Sequence, residues 1–249
     1  MPGLEQSQKA YYDAIAPVYE EHYGHPHARE YLRGVYDRMM SRIELRGSVV
    51  LDAMSGGGQG AEYFLSRGSD VTGMDISEKQ CEFYGRRLPD PKVVCASVFK
   101  TPFRDSYFDL IVTNSLHHVF PEMASVVREL GRILKPGGYF LIWEPTAGSV
   151  FDGLRRLWYR LDPAYFQEEE ASVDLKQLLR EHGDRFELVK KIYGGNLAYL
   201  FVYLSMAFRI PVGWVRHYAR PLVILENILA KLQTRLSALW VSALFRKKS

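Results

Sequence analysis

Cysteine is scarce in this chain of 249 residues, and its scarcity excludes two classes of protein. Only Cys81 and Cys95 are present, too few for a disulfide framework and without the paired spacing of a cysteine metal site. Residues 1–10 are polar and lack the apolar core of a signal segment. We therefore expect a cytoplasmic protein with reduced thiols.

Two further absences narrow the class of partner. The net charge is only +3 and the one dense basic run is Arg246–Lys248, so we expect no nucleic-acid partner. The apolar run at residues 197–208 contains twelve residues. As a helix it reaches about 18 Å, well short of a bilayer core of about 30 Å, so we expect no membrane span.

The most informative stretch lies between residues 48 and 75. Apolar residues 49–51 predict a buried strand that ends at Asp52, and a helix is expected over residues 61–67 before a second strand at 71–74. Asp75, at the end of that second strand, places a carboxylate where two ribose hydroxyls could be bound. Between the first strand and the helix lie four glycines that leave backbone N–H groups open to a polar ligand: Gly56, Gly57, Gly58 and Gly60.

This stretch resembles the first two motifs of the class I S-adenosylmethionine (SAM)-dependent methyltransferases, in the segments VLDAMSGGGQG and VTGMDIS. The resemblance implies that residues 52–58 lie under the methionine half of the cofactor, with Gly56 and Gly58 as the essential pair, and that Asp75 binds its ribose. The family usually has glycine where this chain has Met54. We therefore expect the backbone at Met54 to keep a negative φ.

The resemblance extends through the third and fourth strands, predicted at residues 93–95 and 110–113. After the third strand the family usually carries an aspartate that accepts a hydrogen bond from the adenine amino group, but this chain has Ser97. A hydroxyl accepts that bond more weakly than a carboxylate, so we expect Ile76, the Val98 backbone and packing to contribute to adenine recognition.

Two histidines follow the fourth strand, at the sheet edge where open α/β sheets bind ligands. We expect His118, or otherwise His117, to act as a general base on an acceptor, because the pKa of an imidazole lies near neutrality. The alternative is structural, with either ring capping the next helix. Glu144 ends the fifth strand, predicted at residues 139–143 within LKPGGYFLIWEP, and either orients the acceptor or stays solvated.

The N-terminal segment is expected to form a lid. The segment YYDAIAPVYEEHY resembles the lid of small-molecule methyltransferases, which implies that Tyr19 closes over the carboxylate end of SAM with Tyr12 nearby. The alternative is that these tyrosines only cover the core. Pro17 is expected to break or restart the helix. No metal site is expected, because no carboxylate or cysteine at ligand spacing accompanies His22, His25 and His27.

The second half of the chain predicts an amphipathic lid helix over residues 150–166, with Trp158 against the acceptor, and strands at 186–193 and 238–245. The insertion at residues 194–237 ends in a helix with leucines at heptad spacing. Four roles remain open for it: a lid over the substrate, a dimer interface, a peripheral contact with membrane lipid at its inner face, or helices packed on the domain's own sheet. The leucines are Leu222, Leu225, Leu229, Leu232 and Leu236.

We predict one domain over residues 1–249: N-terminal helices and lid at 1–47, a core at 48–193 and 238–249, and the insertion at 194–237. Its fold is α/β, a Rossmann-like seven-stranded, mostly parallel sheet with helices on both faces and an antiparallel last strand. The predicted cofactor-binding residues are Tyr19, Asp52, Ala53, Met54, Ser55, Gly56, Gly58, Gln59, Asp75, Ile76, Ser97, Val98, Asn114 and Ser115. The predicted acceptor contacts are Tyr12, Glu144 and Trp158, and the predicted catalytic residues are His117 and His118.

The predicted activity is methyl transfer from SAM to a small acceptor that is apolar or lipid-linked. O-methylation is favoured, N- and C-methylation stay open, and the protein is expected to be a monomer or a homodimer. One alternative is a nucleic-acid methyltransferase, but the end of the fourth strand reads NSLH and lacks the Asn-Pro-Pro-aromatic type of motif that acts on base amines. The other alternative is a non-catalytic SAM-binding protein.

Overall fold

Seven strands form one sheet in the computed structural model, which describes residues 2–162 and 170–249. They are β1 (Val49–Ala53), β2 (Asp70–Asp75), β3 (Lys92–Cys95), β4 (Phe108–Thr113), β5 (Leu134–Pro145), β6 (Phe186–Gly194) and β7 (Trp240–Lys247). Their order is β3-β2-β1-β4-β5-β7-β6, with β7 antiparallel to both of its neighbours and the pairs from β3 to β5 parallel. This topology confirms the predicted fold class.

Helices cover both faces of the sheet. They are α1 (Pro2–Tyr23), α2 (Pro26–Met40), α3 (Ala61–Leu65), α4 (Glu78–Arg87), α5 (Met123–Ile133), α6 (Val150–Leu161), α7 (Leu175–His182) and α8 (Val212–Leu229). Shorter helical turns span Leu116–Glu122, Tyr199–Tyr203, Ala230–Leu232 and Arg235–Ser237. Among the described residues, no helix has the length and apolarity that crossing a bilayer requires.

The centre of the sheet explains where a ligand can bind. β1 and β4 are neighbours in register at Leu51 and Ile111, and both side chains are fully buried. The chain leaves β1 towards β2 on one side and reaches β4 on the other, so their carboxyl ends diverge and open a crevice between the following loops. Residues 52–58 and 114–118 lie at that crevice.

The insertion packs partly on the domain's own sheet. Tyr199, Val202, Val215 and Ala219 are buried in the same cluster as residues of α2 and β7. Its long helix is shorter than predicted, because α8 ends at Leu229 and the chain then turns. The prediction of one leucine face through residue 236 was therefore wrong.

Two hydrogen bonds accompany this turn, one local and one to the start of the insertion. Thr234 N–H donates to Ser237 Oγ over 3.0 Å, and Gln233 Nε2 donates to the carbonyl oxygen of Gly195 over 2.6 Å. These bonds favour two separate 3₁₀ turns over a continuing helix, and they leave Leu232 and Leu236 largely exposed.

The expected break at Pro17 was also wrong, since α1 runs through it. Proline in a helix interior costs about 3 kcal/mol. Tertiary contacts on both sides of the proline oppose that cost: Ser77 Oγ donates to Asp13 Oδ1 over 2.7 Å, and His22 Nδ1 lies 2.9 Å from Ser205 Oγ.

Candidate active site

The loop after β1 is held in a tight turn that includes a non-glycine residue at positive φ. Met54 has φ +56°, so the expectation of a negative φ there was wrong. The turn is fixed by its own bonds: Ser55 N–H donates to the Met74 carbonyl over 3.0 Å, and Gly58 N–H donates to the Ser55 carbonyl over 3.1 Å. The loop therefore adopts a backbone conformation that favours glycine, at the cost of strain at Met54.

The two glycines of the predicted pair face different neighbours, although both have positive φ (+52° at Gly56 and +84° at Gly58). A Cβ on Gly56 would lie 3.4 Å from the Tyr19 ring, at the cavity. A Cβ on Gly58 would lie 2.8 Å from the Tyr84 ring, away from both cavities. Gly56 thus leaves space at the candidate ligand site, and Gly58 leaves space for core packing.

Two adjoining cavities occupy the crevice, one of about 490 Å³ and one of about 60 Å³. The larger lies within the range of about 300–1,000 Å³ that is usual for small-molecule sites. Both are lined by Tyr12, Tyr19, Met54, Ser115 and His118. These shared residues make the two cavities parts of one site.

Most of the predicted site residues come together there. The larger cavity adds Asp52, Ser55, Gln59, Asn114, His117, Glu144 and Trp158, and the smaller adds Gly56, Asp75, Ile76, Ser97 and Val98. Ala53 and Gly58 line neither cavity.

Asp75 lies at the smaller cavity with its carboxylate already engaged by the backbone. Oδ2 accepts from Gly56 N–H and Oδ1 from Ser77 N–H, both over 2.9 Å. Burial raises the pKa of this carboxyl, and the backbone N–H groups oppose the rise. Each oxygen keeps a lone pair for a ligand hydroxyl. Gln80, which sequence reasoning missed, lies beside it with neither amide atom hydrogen-bonded within the described chain.

The floor of the larger cavity holds unsatisfied acceptors. Asp52 Oδ2 and Asn114 Oδ1 are buried without a hydrogen-bond partner among the described residues. Asn114 Nδ2 donates to Tyr36 Oη over 2.9 Å, which leaves its oxygen for a ligand. Burial, with a smaller contribution from Asp75, raises the pKa of Asp52 to about 8. A cationic ligand with donor groups would satisfy both residues and keep Asp52 ionised.

Glu144 is the buried partner of His117, and it is not solvated. Its Oε2 lies 2.7 Å from His117 Nδ1, while Leu116 N–H donates to Oε1 over 2.8 Å and His117 N–H donates to Oε2 over 3.2 Å. Burial raises the pKa of Glu144 to about 8 and holds that of His117 well below its usual range. The two groups therefore form one proton-sharing pair at the edge of the larger cavity.

A second pair adjoins the first. His118 Nδ1 lies 3.1 Å from Glu170 Oε1, and the rings of His118 and His117 have centroids 3.8 Å apart. Atoms of His117, His118 and Glu170 lie within 4.8 Å of one another, a grouping that could also hold a metal ion. Glu170 was missed by sequence reasoning, since no motif surrounds it.

Helices from three parts of the chain roof the larger cavity with aromatic rings. α1 supplies Tyr12 and Tyr19, α6 supplies Trp158, and the insertion supplies Tyr199 and Tyr203. The two insertion tyrosines were not among the predicted site residues, although the aromatic run that holds them was visible in the sequence. The last residues of the predicted lid helix, 163–166, lie outside the described residues.

Comparison with known proteins agrees with this architecture. A family model described as a methyltransferase domain matches residues 51–142. An uncharacterised methyltransferase from Synechocystis sp. is 32% identical over 168 residues, which is 60% of this chain and 72% of that protein. The chain therefore belongs to the class I SAM-dependent methyltransferases, a family of enzymes whose cofactor is S-adenosylmethionine.

Two further relatives are matched over shorter shares of their length. A malonyl-[acyl-carrier protein] O-methyltransferase from Enterobacter lignolyticus is 29% identical over 65% of this chain and 62% of that protein. Phthiotriol/phenolphthiotriol dimycocerosates methyltransferase 1 from Mycobacterium ulcerans is 32% identical over 43% of this chain and 41% of that protein. The chain spans less than two thirds of each of these two relatives.

Solved structures share the fold. The [4+2]-cyclase SpnF has a TM-score of 0.65 at 18% identity, covering 98% of this chain and 97% of that one. A geranyl diphosphate C-methyltransferase from Streptomyces coelicolor has a TM-score of 0.61 at 17% identity, covering 86% and 78%. One fold thus carries proteins named for different reactions, so the reaction must be argued from the site.

Proposed function

We propose that this protein transfers a methyl group from SAM to the hydroxyl group of a small apolar acceptor held in the larger cavity. The observation that carries the proposal is the His117–Glu144 pair, which lies at the edge of an aromatic cavity beside the candidate cofactor residues. A proton acceptor at that position suits a hydroxyl acceptor, whose oxygen must lose a proton as it is methylated.

The donor groups of the site fit this cofactor. Asp75 would bind the ribose hydroxyls, and the unsatisfied oxygens of Asp52 and Asn114 would receive the positively charged methionine end. Bound SAM supplies an already activated methyl group on a sulfonium. The protein therefore contributes mainly positioning, which can lower a barrier by about 7–11 kcal/mol.

His117 is the proposed base, and Glu144 is its positioning residue. When Glu144 is ionised it accepts the Nδ1 proton of His117, and Nε2 is then free to accept the proton of the acceptor hydroxyl. Two backbone N–H groups hold the carboxylate in place. His118, which lines both cavities, is proposed to orient the acceptor between them.

The adenine end is proposed to use a residue of α1. Ser97 Oγ donates to the carboxylate of Glu5 and accepts from Phe99 N–H over 3.2 Å. Glu5 also lines the smaller cavity. We place its carboxylate where the family usually has an aspartate at position 97, so that Glu5 accepts the hydrogen bond from the adenine amino group.

The acceptor is proposed to be lipid-linked. The larger cavity is lined mostly by aromatic and aliphatic side chains, including Ile15, Leu200 and Met206, which favour an apolar ligand. Two relatives are named for an acyl-carrier protein substrate and for phthiotriol dimycocerosates. Both names support an acceptor that belongs to a lipid or is linked to an acyl carrier, without identifying it.

The direct test is turnover of SAM with a panel of hydroxylated apolar acceptors, followed by the release of S-adenosylhomocysteine and by the acceptor's gain of one methyl group in its mass. The double variant His117→Ala/His118→Ala should bind SAM with unchanged affinity and lose turnover. His27→Ala, a histidine outside both cavities, is the matched control. Turnover by the double variant within about threefold of the parent, under 1 kcal/mol in barrier, would exclude both histidines from the chemistry.

A further inference from the structure

α6 turns an apolar stripe towards solvent. Val150, Leu154, Leu157 and Leu161 follow one another at spacings of four, three and four residues and are 52–73% exposed. The only acidic side chain within this helix, Asp152, is buried and bonded to Arg155 and to Arg156. An exposed helix face is normally polar, so this stripe needs a partner.

α8 also exposes apolar side chains on a face where polar side chains are expected. Trp214, Ile224 and Ile228 are 61–68% exposed, and only three residues of the helix are fully buried. The two 3₁₀ turns that follow add Leu232 and Leu236, which are 76% and 64% exposed. The insertion thus presents a second apolar surface in addition to the side that packs on the sheet.

The α6 surface adjoins the mouth of the larger cavity, and the end of the insertion packs beside it. α6 packs against the turn that carries Leu236, and the Trp158 ring lies 4.8 Å from that of Phe208, between centroids. Leu154 is 62% exposed and also lines the cavity. We call the exposed residues of α6 and α8, with Leu232 and Leu236, the apolar rim.

The charge of the insertion itself is mostly of one sign, although Arg209 and Arg235 lie beside Asp162 and Asp174. Residues 194–237 contain five basic residues and a single acidic one, Glu226. Glu226 is 5% exposed and its carboxylate accepts from Tyr31 Oη and from the N–H groups of Asn196 and Tyr199, so it does not reach the surface. The exposed charge of α8 therefore comes from Arg216 and Arg220, with Lys231 just beyond it.

We propose that the apolar rim docks this protein on an anionic lipid bilayer, with the cavity mouth facing the lipid. Apolar side chains insert into the membrane–water interface, where tryptophan is also enriched at headgroup level. Flanking arginines are attracted to anionic headgroups. A second copy of the chain is a poorer occupant, because a self-complementary contact would bring these cations against one another. The docking proposal does not depend on the proposed function. Entry of a lipid acceptor from the bilayer rests on the proposed function.

Co-sedimentation with vesicles of phosphatidylglycerol and phosphatidylcholine, compared with phosphatidylcholine alone, tests the docking. We expect binding to the anionic vesicles that weakens at least tenfold in raised salt. The double variant Leu157→Glu/Ile228→Glu should lose at least tenfold in vesicle affinity with unchanged SAM affinity. Val189→Glu is the matched control, since Val189 is 49% exposed on β6, outside the rim.

A second pair of variants isolates the charge. Arg216→Gln/Arg220→Gln should weaken binding to anionic vesicles severalfold, whereas Lys79→Gln/Arg86→Gln, which removes two exposed charges from α4, should not. Absence of binding to either vesicle type would overturn the proposal. So would a dimer in light scattering that Leu157→Glu dissociates, because the rim would then bind a second copy.

Turnover separates this proposal from the proposed function. Methyl transfer to a dispersed acceptor without vesicle binding would refute docking alone. Vesicle binding with SAM bound but no methyl transfer to any acceptor would refute the proposed function alone.

Discussion

The floor of the site and its roof are built by different rules. The floor consists of the carboxyl ends of β1, β2, β4 and β5 with the loops that follow them. Its carboxylates accept hydrogen bonds from backbone N–H groups: Asp75 from Gly56 and Ser77, and Glu144 from Leu116 and His117. The roof consists of helices that approach from distant parts of the chain. The floor is thus suited to holding reacting groups rigidly, and the roof to selecting what enters.

Roof and floor are joined by both polar and aromatic contacts. Gln8 Nε2 donates to the carbonyl of His118 over 3.1 Å, and Asp13 accepts from Ser77 Oγ over 2.7 Å. Other roof contacts around the larger cavity are aromatic, such as the Tyr12 and His118 rings with centroids 5.4 Å apart. The polar contacts fix α1 against the loops of the floor, and the ring contacts line the larger cavity.

The largest expected effect concerns the floor. In Gly58→Val the side chain must fit at φ +84° with its Cβ 2.8 Å from Tyr84. Backbone strain of about 1–3 kcal/mol adds to overpacking of about 1–3 kcal/mol, so the free energy of unfolding should fall by about 2–6 kcal/mol. Thermal or urea denaturation measures it.

Gly34→Ala in α2 is its control, because a Cβ there meets nothing within 4 Å. Replacing this helical glycine should raise stability by about 0.5–1 kcal/mol. A Gly58→Val protein that is as stable as the parent but no longer binds SAM would instead return Gly58 to the cofactor site.

Sequence reasoning predicted the floor well, for a physical reason. Buried strands need apolar runs, and tight turns need glycine, so each predicted strand overlaps an observed one. Residues 139–143 lie inside β5, which starts earlier at Leu134, and the last strand starts at Trp240, two residues after the predicted start. Met54 is the exception, because hydrogen bonds across the loop impose a conformation that the residue alone disfavours.

The roof was less predictable, because its geometry depends on contacts between residues far apart in the chain. α1 continues through Pro17 since Asp13 and His22 have partners on other elements. The leucine repeat stops at Leu229 because the following turns find their own bonds. Glu170 reaches His118 from a segment that carries no motif.

The next prediction tests the chemistry at the floor. His117→Ala removes the proposed base and should lower turnover about 10²–10⁴-fold while SAM affinity stays unchanged. Tyr199→Phe, which removes one hydroxyl from the roof of the cavity, should change turnover far less. Comparable losses in both variants would mean that floor and roof share the chemistry. Single-turnover rates at saturating SAM give the comparison.

The proton count of the His117–Glu144 pair predicts the pH dependence of turnover. Burial raises the pKa of Glu144 to about 8, so below this pH Glu144 carries a proton, which it donates to Nδ1 of His117. The neutral ring then keeps its own hydrogen on Nε2, which cannot accept a proton from the acceptor. Turnover should rise as pH rises through about 8, and at pH 6 it should be about a hundredfold below its plateau. Glu144→Gln should lower the plateau and abolish this rise. A parent profile that is flat between pH 6 and 9 would contradict the assignment.

Asp75→Ala tests the binding half of the floor. Loss of charge-assisted hydrogen bonds should weaken SAM binding by about 1–3 kcal/mol by calorimetry. The control is Asp70→Ala, at the other end of β2, where the exposed carboxylate pairs with Lys92 and should contribute nothing to binding. Equal SAM affinities for the two variants, both folded, would remove Asp75 from the cofactor site.

The smallest expected effect concerns adenine recognition, which involves both regions. The proposed acceptor of the adenine hydrogen bond, Glu5, belongs to the roof, and its neighbour Ser97 belongs to the floor. Glu5→Ala should weaken SAM binding about tenfold, on the scale of a hydrogen bond to a charged group. Ser97→Asp alone should not improve binding, since it places two carboxylates together beside the same cavity. The combination Glu5→Ala/Ser97→Asp moves the carboxylate from α1 to the loop after β3 and should restore the parent affinity.

Glu21→Ala, which changes an exposed residue of the same helix, controls for changes in α1 itself. Recovery in the double variant would show that the roof supplies a group the floor lacks, whereas equal affinities in the parent and Glu5→Ala would confine cofactor recognition to the floor.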